Sequence, residues 1–423
     1  MRKLMIILFL MVMVLAASDT FSLDLSLGPG LSVKNALLNV IALILILQVT
    51  LGTRFKLELP ALHAWFGILI GYAVLSWMVV VVLVHYPQYS WTDGAIRLKG
   101  DLIDHALFFG VVFYGCRTSE DARAINSLLL IVIAAMNLIT IANLAGIIDL
   151  GISEMGREGG EEAGRVFGPF GHPNAAAAVI VTVMPGYIAA MMGARGMKRA
   201  FWLAAFLVSF VMLMLTGSRG GMVGVVVGGL AGAFLCRRYI SGKAFSVTLA
   251  SILAAVVIVT PVVALLSAGH GNIMIDRILS FDPATGGSGR NAIWKAAIDK
   301  MMGTPATLIT GFGWNAYSVM NFYYAPHNQY LSLWFELGIV GVGSYMMLLR
   351  EAIGAGLRAV PISESRDRSS LIAFVIGMSM LAVALFFTQL YRATPYVWMY
   401  VGAIMRLPCS AISARRAATA VRA

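Results

Sequence analysis

Long apolar runs alternate with short polar breaks along almost the whole chain. LMIILFLMVMVLAA (4–17) and ALHAWFGILIGYAVLSWMVVVVLV (61–84) are typical. Runs of about 17–24 apolar residues match the hydrocarbon thickness of a bilayer, and helices satisfy their own backbone there. The pattern predicts twelve membrane helices, near 4–17, 35–51, 61–84, 101–116, 125–147, 172–193, 200–216, 220–236, 246–268, 327–349, 370–389 and 393–407. The first, fourth and twelfth are short. The expectation is an all-α polytopic membrane protein, with residues 1–423 forming one integral membrane domain.

Composition agrees: 59% of the 423 residues are hydrophobic and 12% charged, too apolar for a soluble chain of this length. The net charge of +11 matters less than where the basic residues stand. With the N-terminus inside, every inner segment carries at least two Lys or Arg, from Arg2 and Lys3 to Arg406, Arg415, Arg416 and Arg422. That favours an N-in, C-in arrangement. A cleaved signal peptide is the rival reading of the first run, with its basic start and short apolar core. Cys116, Cys236 and Cys409 show neither metal spacing nor a disulfide framework. No nucleic-acid partner is expected.

Two outer loops interrupt this regularity. Residues 269–326, between the ninth and tenth helices, are too long for a simple connection. They contain SGRNAIWKAAIDKMMG, an amphipathic helix with Ile293, Ala297 and Met301 at four-residue spacing. The other, 148–171, holds Glu158, Glu161 and Glu162 among glycines, which read as solvated rather than metal-binding. In this topology the even-numbered helices start at the outer face, where free N–H groups and the positive dipole end attract anions. Three such starts are polar. RVFGPFGHPNAAAA brings Arg165, His172, Pro173 and Asn174, with Pro173 suited to a first turn. TGSRGGMVG offers Ser218 as N-cap, then Arg219, Gly220 and Gly221. APHNQYL brings His327 and Asn328 to the first turn of the tenth helix. Arg290 opens the amphipathic loop helix. Convergence of these starts would suit a diphosphate at headgroup depth, since arginine grips phosphate oxygens in a bidentate fork. Milder readings remain. Arg165 could neutralise Glu161 and Glu162, Arg219 could anchor a headgroup, and Arg290 could be a solvated helix start. His172 reads as structural.

In this order, GRVFGPFGHPNAAA, LTGSRGGMVG and APHNQYLSLWFELGIVG resemble the O-antigen ligase and polymerase family of bacterial envelope glycosyltransferases. The likeness spans about residues 100–405; the first hundred residues match no motif. It implies a GT-C-like membrane fold in the bacterial inner membrane with its active site facing the periplasm. It also implies an inverting, metal-independent transfer without a cofactor. The donor would be a glycan on undecaprenyl diphosphate. The acceptor would be lipid A–core in a ligase, another carrier-linked glycan unit in an O-antigen or exopolysaccharide polymerase, or a protein hydroxyl. Carried over by motif, Arg165 and Arg219 would hold the diphosphate, Arg290 more loosely, and His327 would stand at the reaction centre. Asn328, Ser218 and Asn174 would support them.

The residues fit that chemistry. No Asp-x-Asp pair stands in the outer segments, so arginines and helix dipoles are left to stabilise the leaving diphosphate. Histidine suits proton removal from an acceptor hydroxyl. A polysaccharide transporter or flippase is the rival outside enzymes, but it would line a path through the bilayer with polar groups. Here they gather at one end, apart from Glu336. Nine residues beyond His327, Glu336 falls on the far side of a regular helix and reads as a buried structural group. Trp314, Tyr317, Tyr323 and Tyr324 read as an interfacial aromatic belt.

Overall fold

The computed structural model describes residues 2–23, 25–28, 31–50, 58–150, 164–242, 246, 290–320, 322, 325–389 and 394–422. The chain is a multi-pass helical membrane protein. Its helices are α1 (Arg2–Thr20), α2 (Val33–Thr50), α3 (Pro60–Val84), α4 (Trp91–Leu98), α5 (Asp104–Gly115), α6 (Ser119–Leu144) and α7 (Pro173–Gly193). They continue with α8 (Met197–Leu215), α9 (Arg219–Leu235), α10 (Arg290–Met302), α11 (Thr307–Thr310), α12 (Gln329–Ala359), α13 (Ser365–Ala384) and α14 (Thr394–Arg422). A two-stranded hairpin, β1 (Ser26–Gly28) with β2 (Leu31–Ser32), joins α1 to α2.

Among the described residues, six helices, α3, α6, α7, α8, α12 and α13, are long and apolar enough to cross a membrane; α1, α2 and α9 are shorter apolar helices. The ninth expected span, 246–268, falls almost wholly outside the described residues, as do 269–289 of the long loop and Glu158, Glu161 and Glu162. The fourth span starts earlier than its apolar run, because Ser90 caps α4 by accepting from Asp93 N–H and a π turn at Lys99–Ile103 carries the chain into α5. Its polar residues, Asp93, Arg97, Lys99 and Asp101, hide that helix from a hydropathy reading. α6 likewise begins at a Thr118–Asp121 capping box ahead of its apolar run.

α7 is the axis of the bundle. Every residue from Pro173 to Tyr187 is buried, as expected of a helix apolar on all sides. α8 and α13 pack against it, and α14 packs on α5 and α6. α9 lies on α13 through Gly224, Gly228 and Gly232. A Cβ on Gly228 would come within 2.5 Å of the Met380 Cα, and one on Gly232 within 2.7 Å of the Ile376 Cα. Small residues four apart let two backbones touch where water supplies no hydrophobic drive.

α12 is broken inside. Gly338 adopts φ 60°, ψ −160°, and a side chain there would run into the Ile309 carbonyl. Upstream of the break, the Phe335 and Glu336 carbonyls accept from the N–H groups of Phe312 (2.8 Å) and Gly313 (2.9 Å). The segment 307–317 is therefore laid against α12 and replaces helical bonds lost at the break. Tyr72, Tyr86 and Tyr89 donate to the carbonyls of Thr310, Phe312 and Trp314. Trp314 is 2% exposed and Tyr317 is buried too, which corrects the belt reading for both: their rings fill the interior of this outer layer. Tyr323 and Tyr324 lie outside the described residues.

Candidate active site

The site is built where helices α7, α9 and α12 begin. His172 is the N-cap of α7, its Nδ1 accepting from the Asn174 N–H at 3.0 Å, with Pro173 in the first turn. A capping acceptor followed by proline explains why the chain turns helical here. Ser218 caps α9, its Oγ accepting from the Gly221 N–H at 3.2 Å, so Arg219 is the first helical residue. Asn328 caps α12, its Oδ1 accepting from Leu331 N–H at 3.0 Å. His327 thus precedes the helix rather than lying on its first turn, and its φ of 45° is left-handed.

Side-chain bonds tie the starts of α7 and α9 together, and α12 is anchored beside them. Arg165, 4% exposed, donates from Nη2 to Asn174 Oδ1 (2.7 Å) and from Nε to the Thr216 carbonyl (2.8 Å). The Ser218 hydroxyl donates to the same Asn174 Oδ1 at 2.9 Å. One amide oxygen therefore joins the beginnings of α7 and α9 through a buried guanidinium. Gly220 and Gly221 allow the fit: a Cβ on Gly220 would strike Phe387, and one on Gly221 would stand 2.8 Å from the Ala177 Cβ. α12 is drawn in from the other side. The Gln329 N–H donates to the Leu385 carbonyl at 2.9 Å, Gln389 bonds to Ser332, and the rings of His172 and His327 lie 5.5 Å apart.

The loop helix α10 closes over this corner. Ala297 and Met301 are buried against Tyr317, Leu331 and Phe335, the face its four-residue spacing marks. Trp294 Nε1 donates to the carbonyl of Pro326, the residue before His327, at 2.8 Å. Arg290 lies one helical turn before Trp294, half-buried at the start of α10.

The result is a corner where three positive dipole ends meet, carrying buried Arg165 and half-buried Arg219, His172 and His327. It can receive an anion and hold a neutral base beside it. Residues 204–346 match the family model described as O-antigen ligase. No curated protein matches the chain. The matched stretch begins within α8 and ends within α12, so it includes Ser218, Arg219, Arg290, His327 and Asn328. Arg165, His172 and Asn174 precede it and reach the same corner through α7.

Glu336 lies in the matched stretch but is occupied elsewhere. It is 1% exposed and accepts from Arg97 Nη1 at 2.9 Å. The backbone N–H groups of Asn315 and Tyr317 donate to it as well. Arg97 also bonds Asn315 Oδ1 (2.6 Å) and Asp101 Oδ2 (3.0 Å) and lies 5.3 Å over the Trp314 ring. Sequence reasoning missed Arg97. The one local sign was its four-residue spacing from Asp101 on a helix. It also missed the Thr216 carbonyl and the Trp294 indole, because a backbone acceptor and an apolar-face ring leave no mark in a motif.

Proposed function

We propose that the protein is a glycosyltransferase of the O-antigen ligase type. It moves a glycan from undecaprenyl diphosphate to an acceptor hydroxyl on lipid A–core, at the periplasmic face of the inner membrane. The observation that carries this reading is the convergence of three helix starts, with their arginines, beside His327. The acceptor oxygen attacks the anomeric carbon on the side opposite the diphosphate. A new C–O bond forms, the bond to the diphosphate oxygen breaks, and its electron pair leaves on that oxygen. His327 takes the acceptor proton. Arg219 and the positive dipole ends of the helix starts receive the growing negative charge, and Arg290, at the start of α10, adds to it. Arg165 acts differently from the grip expected of it. With Nε and Nη2 turned to Thr216 and Asn174, it supplies fixed charge and keeps the two helix starts in register.

The matching domain supports ligase or polymerase chemistry in general; the choice of acceptor is the finer part of the proposal. The test is reconstitution of the purified protein with carrier-linked glycan and either lipid A–core or a second carrier-linked unit. Glycan on lipid A–core together with released undecaprenyl diphosphate supports the ligase reading. Chain growth on the carrier alone moves the assignment to a polymerase. No release with either acceptor rejects the transferase.

A further inference from the structure

We infer that His172 is a positioning residue for His327, holding its ring in place for the reaction, and not a helix cap alone. This rests on the transferase reading above. A cap at this position requires only a short acceptor, which Asn, Asp, Ser or Thr provides best. Histidine does the same work with Nδ1, at 3.0 Å from the Asn174 N–H. That bond fixes the ring. Nδ1 must be bare to accept, so the neutral imidazole keeps its proton on Nε2, and the ring plane is set by the first turn of α7.

The second observation is where the fixed ring stands. Its centroid is 5.5 Å from that of His327, with the planes 36° apart, close enough for the edges to touch. His327 arrives there by an unusual backbone. It has φ 45°, a conformation uncommon outside glycine and costly unless its surroundings enforce it. They do so from both sides: Trp294 holds the preceding carbonyl, of Pro326, and Asn328 caps the helix that follows. Strained backbone of this kind clusters at functional positions, and of the six non-glycine residues with positive φ among the described residues, His327 is the one whose ring meets a second histidine. Here it turns the His327 ring away from its own helix and toward α7. His172 is thus a wall attached to the most deeply buried helix of the bundle. It limits the rotation of His327 and keeps its basic nitrogen aimed at the acceptor. A reacting group needs such support, because a displacement of about 1 Å can cost about a hundredfold in rate.

The substitution that separates the two roles is His172→Asn. Asparagine caps as well as histidine, so α7 keeps its start, but the ring is gone. The expected outcome is unchanged thermal stability in nanodiscs, unchanged KM for the carrier-linked glycan, and kcat lower by about 10–100-fold. The imidazole resonances of His327, in protein labelled at histidine, should move as well; this readout needs no turnover. Wild-type kcat together with unmoved His327 resonances in His172→Asn would show that His172 only caps, and would overturn the inference. His327→Ala, run in parallel, separates the two failures. If it is inactive while His172→Asn is normal, only this inference falls. If it is fully active, the assignment of His327 as base falls with it.

Discussion

Two polar regions flank the first three turns of α12, and they are built on opposite plans. At the helix start, Arg165, Asn174 and Ser218 lock the neighbouring helix starts together, while His172, His327 and Arg219 remain half-buried around them. Some two turns further on, Glu336 is enclosed and meets Arg97, Asn315 and Tyr317. The first region holds its scaffold rigid and leaves its reactive groups within reach of solvent. The second directs its charges at one another and at the backbone of 307–317. A carboxylate on α12 and the histidine just ahead of that helix thus do unrelated work. Exposure and partners, rather than residue type, tell a site from a brace.

That contrast can be broken by substitution. The largest effect is expected at His327. His327→Ala should lower transfer by about 10²–10⁴-fold with no loss of thermal stability; a full-rate variant would remove it from the mechanism. Glu336→Ala should do the converse in kind. It removes one of the two carboxylates that meet Arg97 and leaves the Asn315 and Tyr317 N–H groups without their acceptor, a change that costs about 1–3 kcal/mol, visible as a lower melting temperature and poor recovery of the detergent-purified protein. If Glu336→Ala is stable but inactive, the brace has been misread. Gly338→Ala should cost about 1–3 kcal/mol, since alanine meets both the left-handed backbone and the Ile309 carbonyl; chemical denaturation measures it. Ser218→Ala is the mildest. Loss of one cap costs about 1 kcal/mol. Because the same hydroxyl also bonds Asn174, transfer should drop alongside stability, and a change in stability alone would confine Ser218 to capping.

The helix starts were legible because their information is local. Pro173 in a first turn and Ser218 ahead of a glycine pair each state their geometry within four residues. Ile293, Ala297 and Met301 marked the buried face of α10 in the same way. Other features have causes remote in sequence. Glu336 finds Arg97 from 239 positions away, and no periodicity points to that pairing. The burial of Trp314 follows from a segment folding back on α12, which hydropathy does not register. Pro-His-Asn reads equally well as a first turn, so the left-handed backbone of His327 leaves no sign in the sequence. The cap fell one place later, on Asn328, and the displaced histidine is the one that faces His172.

The break at Gly338 also bears on how this protein enters the membrane. The carbonyls of Phe335 and Glu336 are served by Phe312 and Gly313, which leave the ribosome first. Exposed backbone groups in lipid cost several kcal/mol each, so the upper part of α12 is poorly suited to partition alone. Segment 307–317 is thus expected to enter together with the upper part of α12 rather than apart from it. A translocation reporter fused after Ala359 should therefore lose efficiency when 307–317 is deleted, although every residue of α12 is still present.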